Sequence, residues 1–294
     1  MKRIRIVVRG RELATSIQSE LVDGHVLVPL KETAHALGVI GAWDGTTLKL
    51  QGKQEIIICS NQAIARVDNR QQALPVATRI REGQLLAPAL ALGPWFGVKV
   101  LWDHSAGALI FLQAEKALIG KKIIIDPGHG GKDEGAVGAS ILGKDLTLAL
   151  AKRLGQLLEA AGAQVVFTRS RDLYVSLKRR ALLANQAQGD LFLSLESNHF
   201  YDSAIWGTET YYCNSWQGQR LASALQRELA VEVEETDRGA REASFNLLCT
   251  VRAPAAIVKV LYLSNPQQEA QAKEGWFRQR CALALYRGIK DFLE

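Results

Sequence analysis

Four cysteines in 294 residues are too few for a disulfide scaffold. Cys59, Cys213, Cys249 and Cys281 also lack the short spacings of a zinc ribbon, so they read as buried small hydrophobes. No apolar run approaches the ~18–20 residues of a membrane helix, which excludes a spanning helix. Strong charge of one sign is missing as well. The net charge is +6, and Lys and Arg are neither clustered nor interleaved with aromatics as a nucleic-acid footprint requires. A leader is missing too: after Met1 the chain alternates through Arg3-Ile4-Arg5-Ile6-Val7-Val8, a strand pattern. The expectation is a cytosolic chain, or one whose export segment lies upstream of residue 1.

What is present is an ordinary globular balance, 48 % hydrophobic and 22 % charged, at a length that predicts two domains. The first third carries an internal repeat. Asp23-Gly24, Leu27, Pro29, Gly38-Val39 and Trp43-Asp44 recur 59 positions later as Glu82-Gly83, Leu86, Pro88, Gly97-Val98 and Trp102-Asp103. Repeats of one supersecondary unit stack to share a core. Each reads as strand, turn, strand, short helix and a hairpin closing on Trp-Asp, so residues 1–113 are expected to form a strand-rich α+β module. A short linker is expected over Gln113–Gly120. Residues 121–294 then alternate apolar strands with helical periods, the pattern of an α/β domain whose parallel-type sheet is flanked by helices. Leu146, Leu150, Leu154, Leu157 and Leu158 recur at helical spacing before Gly162, and Ser176 is placed to cap a following helix. Strands are expected at "KKIIID", "AQVVFTR", "DLFLSLE", "GTETYYC" and "AIVKVLYL", with helices near Gln217–Ala230 and Gly275–Leu293.

The run "IIIDPGHGGKDEGAVG" places His129 at the carboxyl end of a strand, where α/β sheets bind ligands. Taken alone, it reads equally as a tight turn with a solvated histidine. Together with "FTRSRDLYVSLKRRALLAN", "DLFLSLESN", "GTETYY", "DRGAREASFNLL" and "LSNPQQEA", however, residues 121–294 resemble the zinc-dependent N-acetylmuramoyl-L-alanine amidases of bacterial cell-wall turnover (the AmiC-like family). The repeated module, through "LVPLKETAHALGV" and its echo, resembles the copper-amine-oxidase N-terminal-like stalk domain. That likeness implies no copper.

The amidase resemblance implies one zinc held by two histidines and a glutamate, with a second glutamate as general base. A catalytic zinc takes about three protein ligands and an open position for water. Carried over residue by residue, the first histidine is His129. The ligand glutamate is replaced by Gly143, the second histidine by Glu196 and the general base by Lys259. Glycine has nothing to coordinate with, and an ammonium cannot accept a proton. Lys259 and Glu196 are therefore expected to pair in the vacated metal site. A rebuilt site would need His129, Glu196 and His199 to converge, and zinc is the cofactor in that case alone. Asp133 and Glu134 are expected to decorate the glycine-rich loop, and Asn198 and Arg238 fall at positions the resemblance places near the substrate groove. The expected function is an inactive amidase homologue that binds peptidoglycan or docks on a cell-wall enzyme, outside the cytoplasm. The alternatives are an active zinc amidase cleaving the bond between N-acetylmuramic acid and L-alanine, and a structural envelope protein without a ligand.

Overall fold

The structure, a computed structural model, describes residues 3–234 and 236–294. The chain divides into two compact units, one reaching to Gln113 and one beginning at Ala114.

In the first unit, β1 (Arg5–Val8) and β2 (Arg11–Glu12) precede the first repeat, made of β3 (Glu20–Val22), β4 (His25–Pro29), α1 (Leu30–Ala36), β5 (Ile40–Trp43) and β6 (Thr47–Gln51). An extension of β7 (Glu55–Cys59), β8 (Ile64–Val67) and β9 (Arg70–Ala73) follows. The second repeat is β10 (Arg79–Arg81), β11 (Gln84–Pro88), α2 (Ala89–Phe96), β12 (Lys99–Asp103) and β13 (Ala108–Leu112). The matched dipeptides have a shared physical job. Asp23 and Gly24, like Glu82 and Gly83, all adopt positive φ, as a two-residue turn matching strand twist requires. Asp44 and Asp103 each accept backbone N–H bonds from the residues two and three positions after them. The repeats meet through their equivalent strands. β4 pairs antiparallel with β11 so that Val28 faces Ala87, its counterpart 59 positions on. Strands β7 to β9, which extend the β5–β6 hairpin into a five-stranded sheet, have no signal in the repeat.

In the second unit the residues expected as a linker are folded: Leu118 is fully buried and the Glu115 N–H donates to Ala161 O. The elements are β14 (Lys122–Pro127), α3 (Gly143–Ala160), β15 (Gln164–Phe167), α4 (Leu177–Ala187), β16 (Leu191–Asn198), β17 (Thr208–Tyr212), α5 (Trp216–Val233), β18 (Asp237–Glu242), α6 (Asn246–Thr250), β19 (Ala255–Tyr262), α7 (Pro266–Lys273) and α8 (Gly275–Leu293). They form a six-stranded sheet ordered β15-β14-β16-β19-β17-β18. Helices α3, α5 and α8 pack together as one layer, while α4 and α6 pack together and lie against β14 and β19. Ile123, Ile124 and Ile125 of β14 are wholly buried, each contributing roughly 1.5–3 kcal/mol. Ser176 caps α4 by accepting from Arg179 N.

One expectation is refined here and one is corrected. The sheet is mixed rather than parallel throughout, since β17 runs antiparallel to β19. A parallel return needs a crossover of a dozen or more residues, and the helix-free segment 199–207 between β16 and β17 is too short for one. The helix α5 supplies such a crossover, and β18 accordingly lies parallel to β17. Second, Cys213 and Cys249 are joined as a disulfide across 36 positions, whereas Cys59 and Cys281 lie outside any disulfide. Their pairing arises because β17 ends beside α6, a neighbourhood that spacing alone does not reveal. Among the described residues no helix is long and apolar enough to cross a membrane.

Candidate functional site at the carboxyl ends of the central strands

The loop after β14 presents His129 with φ +60°, a left-handed conformation followed by Gly130 and Gly131, also at positive φ. A non-glycine residue there needs support, and two buried arginines provide it. Arg180 donates to His129 O at 2.6 Å, Pro127 O at 2.7 Å and Asp126 Oδ1 at 2.6 Å. Arg169 donates to Pro127 O at 2.9 Å and Gly128 O at 2.7 Å. Lys144 closes the far side, donating to Gly131 O and Asp172 Oδ2, both at 2.9 Å. The imidazole is thus aimed by a rigid frame.

Both ring nitrogens of His129 meet carboxylates. Nδ1 lies 2.9 Å from Asp133 Oδ1 and Nε2 lies 2.7 Å from Glu196 Oε2. Glu196, followed by Asp133, holds the imidazole pKa above its ordinary value, against a smaller opposing effect of burial. A metal at Nε2 would have to displace Glu196, and one at Nδ1 would have to displace Asp133. Glu196 lies over Gly128, where a Cβ would approach its Oε1 to 2.4 Å. On the next strand, in direct register with Glu196, stands Lys259, whose Nζ is 3.8 Å from the same Oε2. The expected pair is therefore present, but as one limb of a triad in which Glu196 Oε2 meets both His129 and Lys259. By distance these contacts are ion pairs, and Oε2 is buried without an aligned hydrogen bond.

Gly143 opens α3, its N–H donating to Ala136 O at 2.7 Å. A Cβ there would stand 2.8 Å from Ser197 Oγ and 2.9 Å from Ala136 N, so backbone occupies the place a side chain would take. His199 is exposed in the segment after β16. Among the described residues, no three His, Cys, Asp or Glu side chains gather as a metal-binding group, so the rebuilt set of His129, Glu196 and His199 is not assembled. Glu134 is exposed and Asp133 supports His129 rather than merely decorating the loop. The donor set is one imidazole engaged at both nitrogens, one carboxylate shared with an ammonium, and a glycine. It does not fit a catalytic zinc.

Asn198 and Arg238 are brought together by a residue that sequence reasoning missed. Glu209 of β17, in register with Lys259 and 3 % exposed, accepts hydrogen bonds from Asn198 Nδ2 and from Tyr262 Oη, the latter at 2.9 Å. Its other oxygen lies 3.7 Å from Arg238 Nε and 3.8 Å from Arg241 Nη1. The Arg238 guanidinium sits 5.5 Å from the Tyr262 ring centroid. Burial, with Glu209 behind it, raises the Tyr262 pKa. A lone acidic residue within the strand "GTETYY" was the available signal, since a buried carboxylate requires partners. From β16 to β19 to β17, one row across the sheet therefore carries Glu196, Lys259 and Glu209.

Comparison with known proteins places this geometry. The model of the N-acetylmuramoyl-L-alanine amidase family matches residues 123–291, and that of the copper amine oxidase N-terminal domain matches residues 7–111. The N-acetylmuramoyl-L-alanine amidase LytC of Bacillus subtilis is 36 % identical over 183 residues, which cover 61 % of this chain but only 37 % of LytC. The probable cell wall amidase LytH of Staphylococcus epidermidis is 31 % identical over 237 residues, covering 75 % of this chain and 78 % of LytH. Among solved structures, the catalytic domain of the amidase CwlV from Bacillus (Paenibacillus) polymyxa superposes with a TM-score of 0.57 at 35 % identity. That match covers 59 % of this chain and 98 % of CwlV.

Proposed function

The chain belongs to the N-acetylmuramoyl-L-alanine amidase family, and from that premise we propose that it is a cell-wall amidase homologue that binds peptidoglycan, or a wall hydrolase, without cutting the amide. The observation that carries this reading is the Lys259 ammonium, 3.8 Å from Glu196, at the position where the family resemblance implies the general base. A protonated lysine takes no proton from water, and losing general-base catalysis alone costs roughly 10²–10⁴-fold in rate. Its charge opposes a divalent cation. Asn198 and Arg238, held by Glu209, are the residues proposed to contact glycan or peptide. LytH is by name a probable cell wall amidase, and the Cys213–Cys249 disulfide suits an oxidising compartment, so the site of action is proposed to lie outside the cytoplasm.

A second reading, an active zinc amidase, draws on the family match itself and on the carboxylate of Glu196, an acceptable zinc donor. Purified sacculi separate the two. With zinc supplied, the first reading expects the chain to co-sediment with sacculi and to release no peptide. Zinc-dependent release of peptide would favour the second reading. Neither release nor co-sedimentation would leave a structural envelope protein.

A further inference from the structure

Among the described residues the Nζ of Lys259 donates no hydrogen bond. Its ionic contact, Glu196 Oε2 at 3.8 Å, lies beyond hydrogen-bond range. An ammonium carries three donors, and this side chain keeps 19 % of its surface exposed. The surrounding carboxylates are engaged elsewhere. Glu196 sits on His129 at 2.7 Å, and Asp133 takes His129 Nδ1 and the Gly135 N–H. Glu209 takes Asn198 and Tyr262 and is flanked by Arg238 and Arg241. Beyond the ionic contact with Glu196, no side chain of the site accepts a hydrogen bond from the lysine among the described residues, which leaves its donors open to an anionic ligand.

We infer that Lys259 is a carboxylate-binding point, and that the site takes glycan from which the peptide has already been removed. This rests on the proposed function above, peptidoglycan binding without cleavage. The chemistry of the bond identifies the ligand. Hydrolysis of the muramoyl amide breaks the C–N bond and places the oxygen of water on the carbonyl carbon. The amine leaves with the peptide, and a free lactyl carboxylate stays on the sugar. The anion therefore arises at the atom that faced the catalytic centre, where this chain now offers an ammonium. The ammonium can donate to either group, but only the carboxylate meets it with a full opposite charge. The expected preference for stripped glycan over peptide-bearing glycan is roughly ten- to a hundredfold.

The test is calorimetric titration of the full chain with three soluble glycan oligosaccharides: amidase-stripped, the same stripped glycan with its lactyl carboxylates converted to methylamides, and peptide-bearing. The first should bind ten- to a hundredfold tighter than the other two. Lys259→Met should abolish that preference and Lys259→Arg should keep it. Equal binding of the stripped and methylamide forms by the unmutated chain overturns the carboxylate inference and leaves the peptidoglycan reading standing. Tighter binding of the peptide-bearing form also overturns it. Failure to bind any of the three overturns both.

Discussion

Replacing Glu196 should destabilise the second unit more than replacing Lys259, although the two form one pair. At 3.8 Å and an effective dielectric near 20, the Lys259–Glu196 attraction is about 4 kcal/mol before desolvation. Most of that is cancelled by desolvation and by screening of two partly exposed groups, leaving about 1 kcal/mol or less. Lys259→Met also leaves Glu196 with His129 at 2.7 Å, so no charge is orphaned. Glu196→Gln removes the carboxylate that His129 and Lys259 share, leaving His129 with Asp133 and Lys259 with no ionic partner among the described residues. Breaking a fully buried pair costs ~3–5 kcal/mol. With 14 % of the Glu196 side chain exposed, about 2–3 kcal/mol is expected. In a unit of this size each kcal/mol moves Tm by roughly 2–4 °C. Glu196→Gln should therefore lower Tm by about 5–10 °C and Lys259→Met by no more than about 4 °C, as measured by calorimetry or circular dichroism. The double variant should show coupling between the two sites. An unchanged Tm for Glu196→Gln, or a larger loss for Lys259→Met, would refute the triad.

Three further predictions follow from the same geometry. Because the His129 pKa is raised in the folded chain, mainly by Glu196, its contribution to stability is complete below the unfolded histidine value near 6.5 and is lost as pH rises through the folded value. Histidine titration by NMR should place His129 above that reference, with Glu196→Gln moving it down; a His129 that titrates normally contradicts the double carboxylate contact. Reduction of Cys213–Cys249 should cost about 2–4 kcal/mol. Maleimide labelling of the unfolded chain should count two thiols before reduction and four after. Gly143→Glu, which nominally restores the family ligand, should instead destabilise by about 1–3 kcal/mol, since Ala136 N stands 2.9 Å from the new Cβ. A Gly143→Glu chain as stable as the parent would show that the loop at Ala136 yields.

What the sequence made legible was local or periodic. The 59-residue offset survives as the Val28–Ala87 pairing of equivalent strands. The Leu146–Leu158 spacing survives as the buried face of α3. Motif order alone brought His129, Glu196, Lys259 and Gly143 toward one end of the sheet, since His129 follows β14, Glu196 and Lys259 lie in the carboxyl halves of β16 and β19, and Gly143 opens α3. What stayed hidden depends on which strands become neighbours. The disulfide needs β17 to finish beside α6, and Glu209 becomes a partner of Asn198 and Arg238 only because β17 enters antiparallel between β19 and β18. The second carboxylate on His129 likewise depends on a left-handed backbone at that residue, held by Arg180 and Arg169 from distant positions.

Whether an ion-pair triad stands where the family resemblance implies a zinc is decided by metal content. The purified chain would be incubated with excess zinc, desalted and measured by elemental mass spectrometry. The account predicts a stoichiometry near zero, unchanged by His129→Ala. A stoichiometry near one that His129→Ala abolishes would mean that zinc displaces Lys259 and the proton on His129, and would contradict it.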